Sequence, residues 1–228
     1  MNMSKLTIVP TPIGNLEDMT LRGIRTLKES DLILCEDTRV TRKLLNHYEI
    51  DVPTMSYHTH SKLSKMEKIR ELLEEGKSLS LVSDAGTPTI SDPGSHLVSY
   101  IQENLPDVEI SALPGATAVT TALSMSGFPS SEFLFLGFLP HKKGRQTLFN
   151  KISEIDMTTV FYESPHRILK ALDSLNEVIK EDRKIAVCKE ITKIHEEVVK
   201  GTVSEVIEYF DTNPDRVRGE FVVIVDSV

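Results

Sequence analysis

Cysteine is scarce: Cys35 and Cys188 are the only two in 228 residues. Each sits inside an apolar run with no metal-ligand spacing. That argues against a stapled or thiolate-zinc scaffold and predicts reduced, buried thiols of a cytosolic protein. Basic charge is short as well, with 26 Lys and Arg against 34 Asp and Glu and a formal net charge of −8. This argues against broad, non-specific nucleic-acid binding, which needs a basic face, but does not exclude RNA held by a local basic patch. No apolar run approaches membrane-spanning length, and the start MNMSKLTIVP has no apolar signal core. A cytoplasmic protein with no membrane partner is expected. The three-glycine dinucleotide fingerprint, low-complexity linkers and internal repeats are missing too.

What is present is an ordinary globular mix, 39% hydrophobic and 26% charged, in a chain long enough for two small domains. Short apolar β-type runs alternate with amphipathic helical stretches. Strands are expected at 6–10, 32–36, 54–57, 79–83 and 108–113, then at 133–138, 159–162, 185–189 and 220–225. Most are continuous apolar runs, as in strands buried on both faces. Leu63, Met66, Ile69, Leu72 and Leu73 form one helical stripe, and Gly76 supplies a left-handed cap after it. Asp92-Pro93 and Ser164-Pro165 each place a capping side chain before a proline at the first helical position. Thr202 with Glu205 has the pattern of a capping box. The alternation predicts an α/β protein with a mainly parallel N-terminal sheet. The second half has fewer helices and room for antiparallel pairing. A boundary near 113–117 divides the chain into domains 1–114 and 115–228.

Four loops leave strand ends, where open α/β sheets bind ligands. PTPIGNL (10–16) carries two stiffening prolines and Gly14; alone it is a turn. CEDTRVT (35–41) sets Glu36, Asp37, Thr38 and Arg39 at a strand mouth. Those residues suit polar contact or proton transfer, or Asp37 simply caps the next helix. SDAGTPTISDPG (83–94) exposes backbone in a fixed shape and adds two carboxylates, as an adenosine-type donor with a positive sulfonium needs. Asp92 is expected to cap the helix, leaving Asp84 as the ligand candidate. LPGATA (113–118) lets a base or ribose approach closely, or is an ordinary strand-to-helix turn. His58 and His60 share a strand face, but without a third ligand no metal site is expected.

With FYESPHR (161–167), CKEITKIHEE (188–197) and RGEFVVIV (218–225), these loops resemble the tetrapyrrole methylase superfamily, over about residues 6–226. The narrower likeness is to its ribosomal branch, the 16S rRNA cytidine-2′-O-methyltransferases. The resemblance implies a two-domain class III methyltransferase fold with a mixed C-terminal sheet and S-adenosyl-L-methionine in the cleft between domains. It implies a homodimer acting on 16S rRNA of the small ribosomal subunit. Matched by motif, Pro12, Ile13, Asp84, Thr87, Ala116, Thr117, Tyr162 and Gly219 would contact the cofactor. Small-molecule members carry a glycine-rich first loop where this chain has Pro10 and Pro12, which favours the ribosomal branch. A tetrapyrrole or protein side-chain methyltransferase of the same fold is the alternative. The branch usually has arginine where Lys189 stands, and lysine cannot make a two-pronged phosphate contact.

Asp37, Glu163 and Glu190 are the candidate bases for a ribose hydroxyl, each at a strand end in a matched motif. Arg39, Lys142, Lys143, Arg145, Arg167 and Lys189 are the candidate RNA contacts, positioning phosphate without reading sequence. The run HKKGR (141–145) is otherwise a solvated surface loop.

Overall fold

The computed structural model describes residues 4–57 and 63–227; His58 and His60 lie outside them. The chain divides into two compact units, Met1–Thr117 and Ala118–Val228.

The first unit is built from β1 (Lys5–Ile8), α1 (Leu21–Glu29), β2 (Leu32–Cys35), α2 (Thr38–His47) and β3 (Thr54–Ser56). It continues through α3 (Leu63–Glu74), β4 (Ser78–Leu81), α4 (Gly94–Asn104) and β5 (Glu109–Ala112). Its five strands are all parallel, in the order β3-β2-β4-β1-β5. Leu27 of α1 and Leu45 of α2 pack with Ile33 and Val9 on one face. Ile69 and Leu73 of α3 join Leu97 and Ile101 of α4 over Leu6, Leu34 and Leu79 on the other. Strand β2 (LILC) is an unbroken apolar run, as strands covered on both faces require, whereas β1 (KLTI) and β4 (SLSL) bury Thr7 and Ser80 with their hydroxyls paired to Ser111 and Ser30. The α3 stop is as expected: Gly76 has φ 82, and the N–H groups of Gly76 and Lys77 close on the carbonyls of Leu73 and Leu72 at 3.0 Å each. From β1 the chain crosses to β2, and from its neighbour β4 it crosses the opposite way to β5. The chain order thus reverses between β1 and β4, the switch point at whose carboxyl edge doubly wound sheets bind ligands.

The second unit begins with α5 (Ala118–Ser126), β6 (Phe133–Phe138), α6 (Arg145–Glu154), β7 (Thr158–Glu163) and α7 (Ile168–Asn176). It ends with β8 (Lys184–Lys189), β9 (Glu197–Thr202), α8 (Val203–Thr212) and β10 (Phe221–Val225). Its sheet runs β6-β7-β10-β8-β9; only β6 and β7 are parallel. The central strand β10 is buried at every residue. Phe149, Leu172 and Phe210 from α6, α7 and α8 cover one face over Phe161, Val187 and Phe221. Cys188 points at the α5 side, its Sγ 3.9 Å from the Ala122 carbonyl. Both cysteines are free and buried, and burial pushes the Cys188 thiol up to about 12.

Two expectations need correction. Strand β9 is absent from the predicted set because EVVKGT is a half-exposed strand at the sheet edge, alternating and glycine-bearing, with no apolar run to mark it. Pro165 does not open a helix: α7 begins at Ile168, and the Ser164 carbonyl accepts the N–H groups of Arg167 and Ile168 at 3.0 Å each, forming a turn. Asp92 delivers its capping bond, accepting the Gly94 N–H at 2.8 Å, but Pro93 occupies the cap position itself. The Thr202–Glu205 capping box is complete. Among the described residues no helix is long and apolar enough to cross a membrane.

Candidate active site

At the carboxyl edge of the first sheet the four loops are tied to one another. Thr11 and Gly86 exchange two backbone hydrogen bonds, of 2.9 and 3.0 Å, so the loops after β1 and β4 form a single bridge. The Thr11 hydroxyl adds a bond to the Ser83 carbonyl at 3.1 Å. The Thr87 hydroxyl donates to the Ala116 carbonyl at 3.0 Å, which brings the loop after β5 into the same assembly. Gly115 lies so close to Pro10 that a Cβ there would collide with the proline ring. Gly86 holds φ 81, and a Cβ on it would meet Ile13 Cγ2 at 3.3 Å. Pro12, Ile13, Asp84, Thr87, Ala116 and Thr117 thus share one neighbourhood, walled by backbone rather than by long side chains.

The loop after β2 contributes carboxylates. Asp37 caps α2, accepting the Arg39 N–H at 2.8 Å. The Arg39 guanidinium folds back onto the same carboxylate at 2.6 Å. These contacts hold the Asp37 carboxyl down at about 2, so Asp37 is a weak base, and the capping alternative describes it. Its N–H donates to Asp84 Oδ1 at 3.1 Å, and the Asp84 N–H donates to Glu36 Oε1 at 3.3 Å. Asp84 is exposed, and its Oδ2 makes no hydrogen bond among the described residues. Burial pushes the Glu36 carboxyl up; the Asp84 N–H opposes this, and the charges of Asp84 and Asp92 add to it. The sequence placed Glu36 at the strand mouth but did not single it out as a base, because a strand-end position does not reveal how deeply a residue is covered.

In the second unit the predicted residues fall into two groups. Glu163 is a fully buried carboxylate between two arginines, with Arg145 at 2.7 Å on one oxygen and Arg167 at 2.8 Å on the other. The Ser164 N–H also donates to it, at 2.8 Å. A carboxylate clamped on both oxygens ties β7 to the starts of α6 and α7. Arg145 and Arg167 accordingly spend their guanidinium groups inside the protein, whereas Lys142 and Lys143 are exposed and make no ion pair among the described residues. Tyr162 stacks edge-on with Phe135 and Phe138 at 5.0 and 5.3 Å.

The second group surrounds Lys189, which lies in one cross-sheet row with Glu163, Phe221 and Glu197. Glu190, at φ 48, packs against Gly219, where a Cβ would overlap its carboxyl group. The Glu190 carboxylate accepts from Lys193 and from the Glu220 N–H, both at 2.9 Å. Burial raises its pKa, but these donors and the lysine charges outweigh burial and leave it lowered. Among the described residues no cluster of His, Cys, Asp and Glu could hold a metal ion.

The tetrapyrrole (corrin/porphyrin) methylase family model matches residues 5–207. The chain belongs to this family. Ribosomal RNA small subunit methyltransferase I of Bacillus subtilis is 47% identical over 99% of this chain and 76% of its own length. The protein of that name from Thermotoga maritima is 44% identical over 99% of both chains. Among solved structures, the methyltransferase CobJ superposes with a TM-score of 0.71 at 20% identity, covering 99% of this chain and 95% of that one. The cobalt precorrin-4 methyltransferase CbiF gives 0.70 at 18%, covering 98% and 95%. These likenesses place the fold among the tetrapyrrole methylases, with a parallel first sheet and a mixed second one.

Proposed function

We propose that this chain is an S-adenosylmethionine-dependent methyltransferase that places a methyl group on the 2′-oxygen of a cytidine ribose in small-subunit ribosomal RNA. One observation carries the reading: identity of 42–47% over 99% of this chain with proteins named for small-subunit ribosomal RNA methylation. The bridged loops of the first unit fit the cofactor. Gly86 and Gly115 keep the wall free of side chains, and the free oxygen of Asp84 with Glu36 supplies negative charge and acceptors beside it. Pro12, Ile13, Asp84, Thr87, Ala116 and Thr117 hold the cofactor in this reading, and Tyr162 and Gly219 join them by motif match. When bound, the cofactor supplies an electrophilic methyl group on a sulfonium.

The protein's part is then to align the ribose hydroxyl behind that methyl and to exclude water. Asp37 and Glu190 are held ionised by cations, and Glu163 is clamped. Glu36, whose proton affinity is raised, is the proton acceptor this reading favours. Lys142, Lys143 and Lys189 contact phosphate, and the protein works as a homodimer on the small subunit.

The test offers labelled cofactor with 30S subunits, free 16S rRNA and uroporphyrinogen in parallel. Label entering ribosomal RNA supports the reading. Label in the porphyrin alone would overturn the substrate class, and no cofactor binding would sink the enzyme.

A further inference from the structure

A pocket of about 330 Å³ in the second unit is lined by Lys189, Glu190, His195, Asp215, Arg216 and Arg218, a size at the lower end of small-molecule sites. Its cations are poorly satisfied. The Lys189 side chain is 4% exposed, yet among the described residues its ammonium makes no hydrogen bond and stands 3.7 Å from Glu197 Oε2. That oxygen is itself buried and without a hydrogen-bond partner, while Tyr209 holds the other oxygen of the carboxylate. Arg216 reaches Glu197 at 4.0 Å and Asp215 at 3.9 Å, both too long for hydrogen bonds. The Arg218 side chain has no ion-pair or hydrogen-bond partner among the described residues; only its backbone N–H is engaged, by the Arg216 carbonyl at 2.9 Å. Of the two acids lining the space, Glu190 is engaged by Lys193 and a backbone N–H. A well-covered lysine whose ammonium makes no hydrogen bond among the described residues, and which lines this pocket, presents its donors to whatever enters the space.

We propose that this pocket is a phosphate subsite, in which Lys189, Arg216 and Arg218 grip one or two phosphodiester groups of the RNA substrate. The chemistry favours phosphate. Lysine acts as a point charge at the floor, and two arginines spaced at alternate positions in DRVRG (215–219) supply the forked donors that lysine lacks. The −8 charge of the chain makes a confined basic pocket, rather than a basic face, the means of holding RNA. The subsite rests on the RNA reading above, and its test separates the two.

Binding of transcribed 16S rRNA and of 30S subunits to the full chain is measured across a salt series. The proteins are wild type, Arg216→Ala, Arg218→Ala, Lys189→Met and, as a control, Lys28→Ala on the surface of α1. Arg216 and Arg218 are exposed, so their variants fold even if Lys189→Met does not. Each arginine variant is expected to bind RNA more weakly and to lower the slope of log K against log salt by about one. Cofactor affinity and the Lys28→Ala slope stay at wild-type values. Wild-type slopes in both arginine variants, with RNA still bound, would overturn the subsite and leave the RNA reading standing. A wild-type chain that neither binds nor methylates RNA removes both. Loss of uroporphyrinogen methylation in the arginine variants, with RNA binding intact, would reassign the pocket to tetrapyrrole carboxylates and overturn the phosphate assignment.

Discussion

Backbone strain is concentrated where the chemistry is placed. Among the described residues five that are not glycine have positive φ, and Thr89, Ser91, Glu190 and Thr192 are four of them. Two pairs thus fall in two motif segments, SDAGTPTISDPG and CKEITK. A β-branched threonine in the left-handed region is an outlier, and such strain persists where surrounding structure enforces it. Gly115 shows the same enforcement through space rather than angle. The methyl group of Gly115→Ala would meet the Pro10 ring, which the chain cannot easily move. Overpacking of this kind costs about 1–3 kcal/mol. The same displacement moves Ala116 and Thr117, so cofactor affinity in equilibrium dialysis is expected to fall about tenfold, one decade per 1.4 kcal/mol. Wild-type affinity in a folded Gly115→Ala protein would show that the loop after β5 does not shape the cofactor site.

At the scale of elements, Glu163 decides how β7, α6 and α7 meet. Removing one member of a buried ion pair costs about 3–5 kcal/mol, because the remaining charges stay buried without a partner. Glu163→Gln is therefore expected to lower the thermal midpoint sharply, with methyl transfer per folded molecule largely retained. An unchanged midpoint with transfer abolished would return Glu163 to the role of base. This is also where the sequence was hardest to read. FYESPHR marks the functional end of β7, but the second arginine of the clamp comes from HKKGR, 18 residues upstream. That basic run looked like a place for RNA because a side chain's partner across a fold leaves no trace in local pattern. Continuous apolar strands and the Thr202–Glu205 cap were legible, since both follow from short-range physics. The edge strand β9 was not, because its pairing with β8 is what makes EVVKGT extended. Asp84, Thr87 and Ala116 were legible as motif positions, whereas the Thr11–Gly86 bridge joining them appears only in three dimensions.

For the whole molecule, an acidic chain that handles RNA must separate its charges. The first unit collects Glu36, Asp37, Asp84 and Asp92 at the carboxyl edge of its sheet, where the proposed function puts a positive sulfonium. The second unit gathers Lys189, Arg216 and Arg218 in one pocket, which the proposal assigns to phosphate. The central claim is that the methyl group ends on a ribose oxygen of a cytidine. A 2′-O-methyl group blocks attack of that oxygen on the neighbouring phosphate, so alkali cannot cleave the chain after it. The decisive measurement is alkaline digestion of 30S ribosomal RNA after reaction with labelled cofactor, followed by mass analysis of the labelled product. The account predicts label in an alkali-resistant dinucleotide that yields 2′-O-methylcytidine. Label in an alkali-sensitive mononucleotide carrying the methyl on its base would contradict it.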